Sequence, residues 1–223
     1  MSFGYSVLGF GSIAGTPPFS VAAQSNTTAS GASITTPSFA AGDIAIVSAY
    51  KTMSTANVAA SLPTGFTQIS NRASVRSRST KGGVIYEYQN VLTCYKVLAA
   101  GDTSIASTNA TGMSVSVYRP NTAITTVAAQ DVSDAFSNTI NCSASSVSTI
   151  AFGVSLNNNG AAPTHIWSAG PTVNQAVGAL RAGDYVQNPQ ASDVSWSTDS
   201  YTGNPGANNF NITVATSGYL EVS

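Results

Sequence analysis

Apolar residues recur at alternate positions along most of this chain, and helical stripes at i, i+3, i+4 are hard to find. A period of two predicts strands throughout. Ile44-Ala45-Ile46-Val47-Ser48-Ala49-Tyr50 is apolar on both parities, with Ile44, Ile46 and Tyr50 alternating against Ala45, Val47 and Ala49, as in a strand enclosed within a sandwich. Met113, Val115 and Val117 alternate with Ser114 and Ser116, which predicts a half-buried strand with its hydroxyls turned to water. Val84–Tyr88 and Leu92–Leu98 are separated by Gln89, Asn90 and Val91 and read as a hairpin. Ile150–Val154 and Phe210–Val214 repeat the alternation, and Asn157–Gly160 and Gly203–Gly206 read as turn clusters.

Short strands with frequent turns predict an all-β fold, an antiparallel β-sandwich of jelly-roll-like form. A chain of 223 residues fits one large domain. Residues 1–15 read as an N-terminal arm or first strand, and residues 16–223 as a single sandwich domain with a loop-rich C-terminal third.

The tripeptide Ala-Gly-Asp occurs at Ala41–Asp43, Ala100–Asp102 and Ala182–Asp184, each time at the start of a β-prone stretch. The expected role is a turn, in which glycine supplies a positive φ and aspartate binds a backbone N–H two residues on. The unequal spacing excludes a regular repeat.

Composition then narrows the chemistry. Only 8% of residues are charged, against about 25% in an average soluble domain, so Ser, Thr, Asn, Gln and Gly must supply most of the polar surface. A formal net charge of -1 lacks the electrostatics of a non-specific nucleic-acid binder. No apolar run reaches the roughly 18 residues of a membrane-spanning helix. The glycine-broken start has no basic residue ahead of its apolar positions, so a soluble product of the cytoplasm is expected.

Candidate active-site residues are few. The single histidine, His165, has no Gly-x-Ser-x-Gly elbow to serve, which argues against a Ser-His-Asp triad. One His with Cys94 and Cys142 falls short of a zinc site, and no dense carboxylate run suggests calcium. The two cysteines are expected to be buried free thiols. A carboxylate pair for glycoside hydrolysis could be drawn only from Asp131 with Asp134, or Asp193 with Asp199. Gly9–Gly15 lacks the spacing of a phosphate-binding loop. The expectation is a protein that is not an enzyme and carries no cofactor or metal.

Contact residues are easier to nominate. Arg72, Arg76, Arg78 and Lys81 place half of the eight basic residues in one loop or hairpin, where arginine can engage carboxylates of an acidic protein surface bidentately. In the N-terminal arm, Tyr5, Leu8 and Phe10 are candidates to pack on a neighbouring subunit. Trp167, Trp196 and Tyr201 stand in the loop-rich C-terminal third, where aromatic rings can stack on sugars.

The order Ala41-Gly42-Asp43-Ile44-Ala45-Ile46-Val47, Pro63-Thr64-Gly65-Phe66-Thr67, Tyr95 through Asp102, and Val117-Tyr118-Arg119 resembles a β-sandwich domain of tailed-bacteriophage structural proteins. The resemblance covers residues 40 to 120. It implies a virion component made in the host cytoplasm: a capsid cement or decoration protein, or else a tail-fibre or receptor-binding part that touches carbohydrate. Its partners would be other virion proteins, the major capsid protein first, and copies of itself, most simply as a trimer. It transfers no catalytic residues.

Overall fold

The computed structural model describes residues 19–53, 58–133, 139–142, 147–157, 173–188, 194–197 and 213–223. Every regular element among them is a strand, in the order β1 (Val21–Ser30), β2 (Ser33–Thr35), β3 (Ile44–Met53), β4 (Thr67–Thr80), β5 (Gly83–Val97), β6 (Ser104–Ala106), β7 (Gly112–Pro120), β8 (Val127–Ser133), β9 (Thr139–Cys142), β10 (Ser148–Asn157), β11 (Val173–Val177), β12 (Leu180–Gln187), β13 (Val194–Ser197) and β14 (Thr213–Val222). Two antiparallel five-stranded sheets carry the fold, one ordered β1-β7-β3-β5-β4 and the other β11-β12-β10-β14-β8. The pairs β2–β6 and β9–β13 form two small further sheets. The first half of the chain builds one large sheet and the second half the other, so these strand orders do not establish the jelly-roll winding expected from the sequence.

The sheets share a core. Ile44, Ile46, Tyr50, Val91 and Tyr118 from the first sheet pack with Ile150, Phe152, Leu156, Leu180 and Leu220 from the second. The other parity of the first sheet is buried too: Ala45, Val47, Leu92, Met113, Val115 and Val117 lie under Ile34 of β2, Ile105 of β6 and the Ala60 and Phe66 side chains. The two-sided apolar pattern of Ile44–Tyr50 therefore marks a strand covered on both faces, as the alternation predicts.

Several local expectations are corrected. The Gln89-Asn90-Val91 turn does not form, because β5 runs unbroken from Gly83 to Val97. Val91 joins the core, while the Asn90 amide accepts from the Ala60 N–H at 3.1 Å and donates to the Asn71 side chain and the Arg72 carbonyl, so the ladder continues through it. The actual reversal is at Lys81-Gly82, between Thr80 and Gly83, so of the loop or hairpin expected for Arg72 to Lys81 it is the hairpin that forms, as the second half of a long strand and its turn. The hydroxyl face of β7 is not half-buried, since Ser114 and Ser116 are buried against the second sheet.

The third Ala-Gly-Asp is likewise no turn. Asp184 sits within β12, paired across to Phe152, and is buried. The other two are turns with a different bonding pattern from the one expected: the Asp43 carboxylate accepts from the Ala40 N–H at 2.7 Å and that of Asp102 from the Ala99 N–H at 2.8 Å, each three residues back. Gly42 supplies a positive φ of 93°, as expected, whereas Gly101 is not among the positive-φ glycines.

Candidate functional site

The charged residues of the described sandwich are mostly consumed inside it. Arg119 on β7 holds Asp43 with two bonds, Nε to Oδ1 at 3.0 Å and Nη2 to Oδ2 at 2.8 Å. This bidentate pair fixes the Ala40–Asp43 turn against the end of β7 and raises the Arg119 pKa further, the Asp43 hydrogen bond being the leading cause. Lys96 bonds Asp102 at 2.6 Å, and that hydrogen bond is the main reason the Asp102 carboxyl titrates below its usual range. A cleft of about 460 Å³ opens beside Asp43 and Arg119, lined also by Ala41, Val97, Pro120 and Ile124. Its one cation is neutralised by Asp43, so it has little electrostatic pull on an anion.

Where the two sheets meet, polar side chains stitch both edges. On one edge, Arg72 of β4 reaches Asp131 of β8 at 2.7 Å, and Thr216 of β14 donates to Ser70 of β4 at 2.9 Å. On the other, the Tyr118 hydroxyl of β7 donates to Asp184 of β12 at 2.5 Å. Gln175 of β11 donates to the Thr27 and Val115 carbonyls at 2.9 and 3.0 Å, and the Ser116 hydroxyl lies between Gln175 and the Asp184 carboxylate.

Asp184 is the outlier of this set. Burial pushes its carboxyl up to about 6, against the lowering effect of hydrogen bonds from Tyr118 and Ser116. Burial and then the neighbouring Asp184 charge push the Tyr118 hydroxyl well above its usual value. At 4% exposure Asp184 meets no substrate, so a perturbed carboxyl serves cohesion between the sheets here.

The nominated residues fall into three groups. Arg72 and Asp131, proposed from sequence for different purposes, are brought together as an ion pair, and this takes Arg72 out of the free basic set. Arg76 and Arg78 lie on β4 and Lys81 at the exposed turn that follows it. Trp196 lies on β13, paired across to Ile140 of β9. Tyr5, Leu8, Phe10, Asp134, His165, Trp167, Asp193, Asp199 and Tyr201 lie outside the described residues.

Cys94 is a buried free thiol, pushed upward by desolvation and so a poor nucleophile. Cys142 closes β9. Among the described residues, no three His, Cys, Asp or Glu side chains come together as metal ligands.

The sequence reading missed the Tyr118–Asp184 contact and the Arg72–Asp131 pair, which join residues 66 and 59 positions apart. Nothing local marks either one. The signal that was present for Asp184 lies in its context: the two turns read Ala-Ala-Gly-Asp, at Ala40–Asp43 and Ala99–Asp102, while the strand reads Arg181-Ala182-Gly183-Asp184.

The β4–β5 hairpin outruns the described part of β3. Among the described residues, β3 pairs with β5 from Val97 back to Tyr88, and β4 and β5 stay paired beyond that point from Arg76↔Glu87 to Thr80↔Gly83. The hairpin therefore continues as a two-stranded ribbon, five pairs or roughly 17 Å long at the usual rise of a strand. No protein family, curated protein or solved structure matches the chain.

Proposed function

We propose that this chain is a non-catalytic structural component of a bacteriophage particle, a capsid cement or decoration protein that stabilises the assembled head. The observation that carries the reading is the division of labour within the fold. Among the described residues, three ion pairs tie up most of the charged side chains of the sandwich, while the long β4–β5 hairpin runs on as a ribbon past the last described pair of β3. A body of this kind acts by shape and by contact area. Copies repeated around a particle, as trimers on its symmetry axes, multiply weak contacts through avidity.

The test is reconstitution. Heads stripped of this protein and then supplied with the purified chain should regain resistance to heat. If the chain ignores heads but binds a glycan array, and Trp196→Ala abolishes that binding, the tail receptor-binding reading replaces this one. Release of reducing sugar by the purified chain would contradict both.

A further inference from the structure

We propose that the β4–β5 ribbon is a docking arm for an acidic protein surface on a different partner, with Arg76, Arg78 and Lys81 as its working charges. This deepens the assembly reading by naming the partner's chemistry, and depends on that reading only in placing the partner on a particle.

The proposal rests first on how positive charge is distributed along the chain. Arg72, Lys96 and Arg119 are held by Asp131, Asp102 and Asp43. Arg181 donates to the Gly178 and Leu180 carbonyls at 2.9 and 2.8 Å. Of the eight basic residues only Lys51 remains outside the ribbon. The ribbon carries the other three against a single acid, Glu87, which stands opposite Arg76. It is a local positive centre on a chain whose net charge is -1.

Backbone placement supplies the second argument. Arg72, Arg76 and Arg78 stand at even spacings along β4, the spacing of one face of a strand, and Lys81 follows at the exposed tip. Val84, opposite Ser79 and therefore on the other face of the ribbon from Arg76 and Arg78, is 54% exposed, so the ribbon presents an apolar side chain as well.

The acids that a second copy of this chain offers among its described residues are a poor fit. Among the described residues, Asp43, Asp102 and Asp131 are in ion pairs, Asp184 is buried and Glu87 belongs to the ribbon itself, so only Glu221 is left to offer. Nucleic acid is disfavoured for a different reason. Three cations beside an acid release few counterions, and the rest of the chain adds no positive field.

The experiment measures binding of the purified full chain to immobilised poly-L-glutamate, to duplex DNA and to phosphatidylglycerol vesicles, at about 50 and 300 mM salt, on either side of strong screening. The expected result is tightest binding to poly-L-glutamate, weakened by salt, and at least tenfold weaker for the Arg76→Glu/Arg78→Glu/Lys81→Glu variant. If that variant melts early, the neutral Arg76→Gln/Arg78→Gln/Lys81→Gln variant carries the comparison. No binding by the natural chain, equal binding by the variants, or preference for DNA or vesicles overturns the proposal. Because no particle is used, failure here leaves the virion assignment standing, and failure of head reconstitution leaves this result standing.

Discussion

Asp184→Asn isolates a carboxylate that, among the described residues, is buried without a cation. The folded carboxyl titrates at about 6 and its ordinary value is 3.8, so between these limits the native chain holds a proton that the unfolded chain has lost. Stability therefore falls as pH rises through that window, the reverse of the behaviour of an ion-paired carboxylate. At 1.36 kcal/mol per pH unit the full effect is about 3 kcal/mol, or about 6–12 °C of melting temperature for a chain of this size. Asparagine keeps the shape of the side chain and an oxygen to accept from Tyr118, but removes the charge. Thermal melts of both proteins from pH 4 to 8, followed by circular dichroism, test this. The variant should gain on the natural chain as pH rises and exceed it above pH 7. Taking the difference between the two cancels Asp102, whose lowered carboxyl contributes with the opposite sign in both. Parallel melting curves, or a variant destabilised equally at every pH, would refute the claim that burial of charge dominates at this position.

Three further outcomes follow from the packing. Tyr118→Phe removes the hydroxyl donor from the buried carboxylate and should cost about 1.5–3 kcal/mol above pH 7 and less below pH 5, read by denaturant unfolding. Gly218→Ala places a methyl against the Gln130 carbonyl oxygen and 2.7 Å from Phe152 Cζ, and should destabilise by about 1–3 kcal/mol, measured as a lowered melting temperature with the fold retained. Asp43→Ala strips the bond from the Ala40 N–H and releases Arg119, for a loss of about 1–3 kcal/mol, and should be clearly more damaging in the same assay than Asp102→Ala at the more exposed turn.

The sequence made the strand content readable because alternation reports burial directly, and Ile44–Tyr50 is apolar on both parities for the reason that both of its faces are covered. It misled where a residue type has two uses. Ser114 and Ser116 look like a solvent face, since a hydroxyl facing water and one facing a buried glutamine have the same local pattern. Gln89 and Asn90 look like a turn, and only the long-range bonds of Asn90 show why a strand can pass through it. Of the candidate site, the basic cluster was visible as composition. Its division into a sheet-bound Arg72 and an Arg76–Lys81 stretch beyond the last described pair of β3 was not, because that division is set by strand pairing and by Asp131 on another sheet.

The assembly reading stands or falls most directly on quantitative mass spectrometry of purified particles. A cement or decoration protein is predicted to be present at tens to hundreds of copies per particle. Absence of the chain from purified particles would contradict the account.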